Sequence, residues 1–156
     1  MKDMLLGKNK ALDPNKDEQY TPKWLFDRMG IVFDLDVSAP IGGAPHVPAR
    51  KYYTKADDAL IQPWQGFVFM NPPYSKAKLW VEKFIEHDNG IALLPFSKAL
   101  WMVEIWNKSS AISPVYDVKF ELPTGKTQGI FMPVALFGMG EFAREIILGA
   151  DISKVR

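Results

Sequence analysis

Phe67-Val68-Phe69-Met70-Asn71-Pro72-Pro73-Tyr74-Ser75 is an apolar run that breaks into a stiff polar turn. From Gly66 to Met70 the run is short, continuous and rich in β-formers, so it reads as a strand buried on both faces. The two prolines end it, because each fixes φ and lacks a ladder donor. Downstream, Lys76 to His87 has helical spacing, with Leu79, Trp80, Phe84 and the stem of Lys83 on one side. Ile91 to Pro95 reads as another buried strand and Lys98 to Asn107 as another helix. Buried strands alternating with helices indicate an α/β fold, a mostly parallel sheet flanked by helices. In such sheets the ligand crevice lies at the carboxyl ends of the strands. Asn71 to Tyr74 stands at one of those ends.

The same alternation extends in both directions. Thr21 and Pro22 suit the N-cap and first position of a helix over Lys23 to Met29, stopped at Gly30. Ile31 to Val37 reads as a strand with acidic residues, Asp34 and Asp36, at its end. Ser38 to Pro48, with three prolines and two adjacent glycines, is a loop. Lys51 to Thr54 is a short strand, followed by a loop holding Asp57 and Asp58. Beyond the second helix come strands at Ala111 to Tyr116 and Ile130 to Phe137, a polar loop from Leu122 to Gly129 between them, and a helix at Glu141 to Leu148. Residues 1–19 are polar and lysine-rich and read as an arm ahead of one domain, residues 20–156.

Composition narrows the class. The 156 residues are 47% apolar and 24% charged, as expected of one globular domain with a real core. There is no cysteine, which excludes disulfides and thiolate metal sites and suits a cytoplasmic setting. His46 and His87 stand far apart without supporting ligands, so no metal is expected. The apolar stretch Ile130 to Gly140 is interrupted by Pro133 and falls short of the ~20 residues a membrane span requires. A net charge of +1 means that any nucleic-acid surface must come from local clusters.

The turn at Asn71 carries a specific chemistry. An amino nitrogen conjugated to a planar ring is a poor nucleophile, because its lone pair is delocalised. Two hydrogen-bond acceptors aimed at its protons draw it towards tetrahedral geometry and free that pair. The Asn71 side-chain carbonyl and the Pro72 main-chain carbonyl are the two acceptors, and the paired prolines hold them in one direction. Tyr74 offers a flat face for a base taken out of its stack. The remaining requirement is alignment with a methyl donor among preorganised dipoles.

Several further segments, in order, give the chain a family resemblance over roughly residues 18–137. Tyr20-Thr21-Pro22-Lys23-Trp24-Leu25-Phe26, Phe33-Asp34-Leu35-Asp36, Lys51-Tyr52-Tyr53-Thr54 and Asp57-Asp58-Ala59-Leu60 lead to Gln62-Pro63-Trp64, Asn71-Pro72-Pro73-Tyr74-Ser75 and Ala92-Leu93-Leu94-Pro95. Together they resemble the phage-type DNA N6-adenine methyltransferases. The resemblance implies a Rossmann-like fold, S-adenosylmethionine as cofactor and DNA as partner, with a role in phage DNA or restriction-modification systems. It implies that Tyr20, Thr21, Pro22, Asp36, Asp58 and Asn71 line the cofactor site, with Asp58 accepting from the cofactor's adenine amino group. Asn71, Pro72, Pro73 and Tyr74 would form the catalytic set. The chain departs from the family pattern at Val37, where proline is usual after the strand-end aspartate. Its nearest glycines, Gly42 and Gly43, come several residues later than the Gly-x-Gly turn of the wider class. Only 34 residues separate Asp36 from Asn71, where two crossover units would need about 60. The cofactor half is therefore expected to be pared down.

Other residues carry alternatives. Asp36 reads as functional and Asp34 as structural, while Asp57 and Asp58 each suit a loop cap or a cofactor contact. Ser97-Lys98 suits a phosphate contact or a helix start. Trp64 is the tryptophan expected near the site. Arg50, Lys51, Lys76, Lys78 and Lys126 are candidate phosphate contacts, which would give salt-sensitive affinity without choosing a sequence. Target choice would then fall to the loop Thr124 to Gln128 and be short or relaxed. An RNA or protein-glutamine methyltransferase, or an inactive binding protein of the same fold, would share the central turn.

Overall fold

The apolar run before Asn71 becomes an inner strand of a five-stranded sheet. In the computed structural model, residues 19–129 and 133–152 are described. The expected arm lies outside them except for Gln19, as do residues 130–132, the first three of the expected strand Ile130 to Phe137. The strands are β1 (Leu35–Asp36), β2 (Val68–Met70), β3 (Gly90–Pro95), β4 (Ala111–Val115), β5 (Lys119–Glu121), β6 (Thr127–Gly129) and β7 (Val134–Met139). The main sheet runs β1-β2-β3-β7-β4, and β5 pairs with β6 in a separate hairpin. β1, β2 and β3 are parallel, with Phe69 opposite Ile91. β7 runs antiparallel to both β3 and β4. The sheet is thus mixed: parallel where it carries the acidic and Asn-Pro-Pro-Tyr ends, antiparallel at the far edge.

Helices cover both faces because the strands are apolar on both. Phe69, Ile91, Leu93 and Leu136 pack with Leu25, Phe26 and Met29 of α1 (Lys23–Met29) and Ile147 of α4 (Glu141–Ala150). The alternate residues Val68, Met70, Ala92, Leu94 and Phe137 pack with Val81 and Phe84 of α2 (Ala77–His87) and Met102 and Ile105 of α3 (Leu100–Lys108). The period of two along each strand divides one continuous apolar run between two cores. No helix among the described residues is long and apolar enough to cross a membrane.

Four local expectations are corrected. Leu79 faces solvent at 57% exposure, and Ala77, Val81 and Phe84 form the buried stripe instead. A 3-10 turn over Tyr74–Lys76 precedes α2 and sets its phase. The strand expected at Ile31 to Val37 shrinks to β1, because Phe33 bonds outward to Pro48 and Arg50. Residues 49–53 run parallel beside it through isolated bridges, Phe33 to Ala49 and Asp36 to Tyr52. The polar loop Leu122 to Gly129 contains β6, since Gly125 at φ +84° turns the chain back on itself. Thr21 does not cap α1: Pro22 occupies the N-cap position without a side-chain bond, and the Thr21 hydroxyl is used elsewhere. Between β1 and β2 there is no helix, so this half of the fold is as short as its length implied.

Asp34 is structural. Its carboxylate accepts from the Phe67 N–H at 2.7 Å and ties the start of β2 to β1. Gly66, at φ +75°, leaves room for it, and a Cβ there would stand 2.4 Å from the Asp34 oxygen. Gly66→Ala is therefore expected to lower unfolding free energy by about 2–4 kcal/mol, read from urea midpoints at constant m-value.

Candidate active site

Asn71 leaves β2 at its carboxyl end, and its side chain is held by two acceptors. Nδ2 donates to the Gln19 carbonyl at 3.2 Å and to the Thr21 hydroxyl at 3.0 Å. A carbonyl can only accept, so the amide orientation is fixed: nitrogen towards residues 19–21, oxygen away from them. Both amide protons are thereby used, and the Oδ1 acceptor is left for another donor. The backbone N–H of Asn71 donates to the Ser38 hydroxyl at 2.9 Å, which binds the turn to the loop after β1.

Segment 19–21 is itself pinned from the other side. Tyr20 exchanges backbone hydrogen bonds with Glu121 of β5, at 2.7 and 2.9 Å. The Glu121 carboxylate meets His46 Nε2 at 2.8 Å, joining the hairpin to the loop Ser38 to Pro48. The hairpin, that loop and the Asn71 turn therefore meet around one short strap.

These elements enclose a cavity of about 370 Å³, within the range of small-molecule sites. Tyr20, Thr21, Asp36, Asp58, Asn71 and Pro73 line it. Of the residues expected at a cofactor site, only Pro22 is not among the lining; it is buried at the start of α1. The sequence reading missed Gln19, Ser38, Pro40, Ile41, Val47 and Lys55, which also line the cavity. The small and proline-rich composition of 38–48 was the one signal for Ser38, Pro40, Ile41 and Val47, and Gln19 and Lys55 carried none. Gly43, at φ +91°, packs against the Tyr52 ring, so the late glycines still fold this loop tightly.

Asp36 is 3% exposed. Its carboxylate accepts from the Ser38 N–H at 3.2 Å, and among the described residues no cation pairs with it. Burial pushes it up to about 7, and the Ser38 hydrogen bond offsets only part of that. Asp57 and Asp58 now separate. Asp57 caps its own loop, accepting from the Thr54 N–H and hydroxyl. Asp58, at φ +52°, faces the cavity.

Not every expected residue joins the site. Pro72 is buried and Tyr74 does not line the cavity. The Tyr74 hydroxyl is buried with no hydrogen-bond partner among the described residues, and burial pushes the phenol above its ordinary range. What exposure Tyr74 keeps therefore belongs to its ring and backbone. Lys76 lines the cavity, whereas Lys78 pairs loosely with Glu82 on α2 at 4.0 Å. Arg50 lies 3.7 Å from Asp34, and Lys51 stands over the Tyr53 ring. Lys51 lines a depression at the amino ends of β1 and β2 together with Asp34, the partner of Arg50, at the opposite end from Asn71. Lys126 is exposed in the hairpin turn. Trp64 is buried behind the cavity wall: it does not line the cavity, but its Nε1 donates to the carbonyl of Ala59 and its ring stacks on Trp80, and both of those residues do. No cluster of three or more His, Asp or Glu able to hold a metal exists among the described residues.

The unpaired Asp36 has a thermodynamic consequence. Its folded-state value lies above the usual 3.8, so the native state holds this proton over a range where the unfolded chain has released it. Its contribution is most favourable below about pH 4 and is lost as pH rises through about 7. Asp36→Asn is expected to flatten this slope and to be relatively more stable than wild type at pH 8, by on the order of 2 kcal/mol. Melting curves from pH 5 to 8 check it.

A family model described as DNA N-6-adenine-methyltransferase (Dam) matches residues 8–98. The match covers more than half of the chain and includes the strap, Asp36, Asp58 and the Asn71 turn. No curated protein and no solved structure matches. The chain belongs to the DNA N-6-adenine-methyltransferase family.

Proposed function

We propose that this methyltransferase moves a methyl group from S-adenosylmethionine to the exocyclic N6 of an adenine flipped out of DNA, on a pared-down Rossmann-like fold. The observation that carries the proposal is the Asn71 amide. With both Nδ2 protons committed to Gln19 and Thr21, Oδ1 can only accept, as a site for an amino substrate requires. Pro72 would supply the second acceptor through its carbonyl, and the part-exposed Tyr74 ring the stacking surface.

The cavity's donor set fits the cofactor. Buried Asp36, without a cation of its own, suits the positively charged methionyl end. Asp58 suits the adenine amino group, and Lys55 or Lys76 at the rim suits a carboxylate. Tyr20 and Thr21 shape the wall between cofactor and catalytic turn, and Pro22 supports them from behind at the start of α1. Bound there, S-adenosylmethionine would supply a methyl group activated on its sulfonium, which methyl loss would turn into a neutral thioether. Asn71 and the Pro72 carbonyl hold the two N6 protons during transfer, and neither acts as a strong base, since one proton departs to water afterwards. Exclusion of water around the buried Thr21 of the strap would strengthen these dipoles.

DNA contact is proposed for the face around the cavity mouth. Lys76 lies at the mouth and Lys126 in the exposed hairpin turn. The β5–β6 hairpin, whose β6 residues are all exposed, is narrow enough for a major groove, which admits a two-stranded ribbon. Its residues Thr124 to Gln128 would read a short target. Arg50 and Lys51, at the other end of the strands, would contact only flanking phosphates. Methylome sequencing that found a long, strictly obeyed target would contradict this part.

The test is transfer of labelled methyl from S-adenosylmethionine to unmethylated duplex DNA, followed by nucleoside analysis. Wild type is expected to yield N6-methyladenine, and Asn71→Ala to lower the rate by about 100-fold or more. Transfer to RNA or to protein glutamine in preference to DNA would reject the substrate. No transfer and no thermal shift with cofactor would reject the reaction.

A further inference from the structure

Lys83 lies on α2, outside the cavity, and spends its whole hydrogen-bonding capacity on one loop. Its ammonium donates to the carbonyls of Ala59 at 3.1 Å and Leu60 at 2.9 Å, and to that of Gln62. An ammonium has three donors, and all three are matched. The Trp64 ring lies 5.1 Å below the charge, while Trp64 Nε1 donates to the same Ala59 carbonyl at 2.9 Å. Residues 58–62 form two overlapping turns, Ile61 N–H to Asp58 and Gln62 N–H to Ala59. Among the described residues the Leu60 and Gln62 carbonyls accept no backbone hydrogen bond; such turn-end carbonyls carry partial negative charge, and Lys83 caps them while sharing the Ala59 carbonyl with the Gln62 N–H and Trp64 Nε1. Burial lowers the Lys83 pKa despite the nearby Glu86 and Asp58 carboxylates, so the contact is made at a desolvation cost that an apolar residue of the same length would avoid.

The clasped loop is a wall of the cavity. Asp58, Ala59 and Leu60 all line it, together with Asn71, and Asp58 is held in the left-handed region. α2 starts immediately after the Asn71–Tyr74 turn and its 3-10 extension. One lysine thus locks the Asp58 wall to the helix that grows out of the catalytic turn.

We infer that Lys83 is a positioning residue: it sets Asp58, and with it the adenosine half of the cofactor, at a fixed place relative to Asn71. This rests on reading the cavity as the S-adenosylmethionine site. Lys83 touches neither cofactor nor substrate, so its effect must pass through Asp58 and fall on cofactor affinity rather than on the chemical step.

The experiment is calorimetric binding of S-adenosylhomocysteine and of 5′-methylthioadenosine, which keeps only the adenosine half, to wild type, Lys83→Met, Asp58→Ala and the double variant. Lys83→Met is expected to weaken both ligands by about tenfold, and to change either affinity less than twofold once Asp58 is already gone. Single-turnover transfer at saturating cofactor should stay within about threefold of wild type. A folded Lys83→Met protein with wild-type affinities would overturn the inference, as would an equal loss in the Asp58→Ala background, which would mark a general loosening. Should Lys83→Met fail to fold, Lys83→Gln retains donors for part of the clasp and carries the same comparison. Wild type that binds neither ligand would instead remove the cofactor reading, and this inference with it.

Discussion

The pair of hydrogen bonds from Asn71 Nδ2 to Gln19 and Thr21 is the constraint on which the site depends. An amide side chain can turn over and exchange its donor for its acceptor at little cost unless its neighbours forbid it. Here a carbonyl and a buried hydroxyl take both protons. On the proposed reaction the acceptor would thus be aimed before any substrate arrives, and no reorganisation would be needed in the transition state. The strap that does this holds its own place through Glu121 of β5, so the geometry of one side chain draws on the first described residues and on a hairpin a hundred residues later.

A second set of contacts ties charge to the same point. The Ser38 N–H donates to Asp36 and the Ser38 hydroxyl accepts from Asn71, so the buried acid and the Asn71 turn share one residue. A nearly unexposed carboxyl without a partner cation is costly. Its retention at the wall of a small-molecule cavity, where a cationic ligand would relieve the cost, accords with the pattern that perturbed groups gather at functional sites.

The sequence was legible where a pattern was local. Residues 67–75 announced strand and turn because the apolar run and the two prolines are adjacent, and the two sheet faces followed from that run. The short, helix-free excursion between β1 and β2 was legible from spacing alone. The family resemblance supplied Tyr20, Thr21, Pro22, Asp36, Asp58 and Asn71 as companions, and all but Pro22 border one cavity. What escaped was non-local. Thr21 looked like a helix cap because Thr-Pro is one, yet its partner lies 50 residues away. The Thr127–Gly129 strand has no apolar alternation to betray it, since all three residues are exposed. Lys83 was legible as a helix position, but the three carbonyls that meet it are backbone atoms, which leave no mark on residue type.

The most direct measurement is single-turnover methyl transfer by Thr21→Val, an isosteric change that removes one acceptor from Nδ2, with cofactor and DNA affinities measured alongside. If the fixed amide drives the reaction, the rate falls about tenfold or more while both affinities stay within about twofold. An unchanged rate in the folded variant would contradict it, and would mean that the orientation of Asn71 does not depend on the strap.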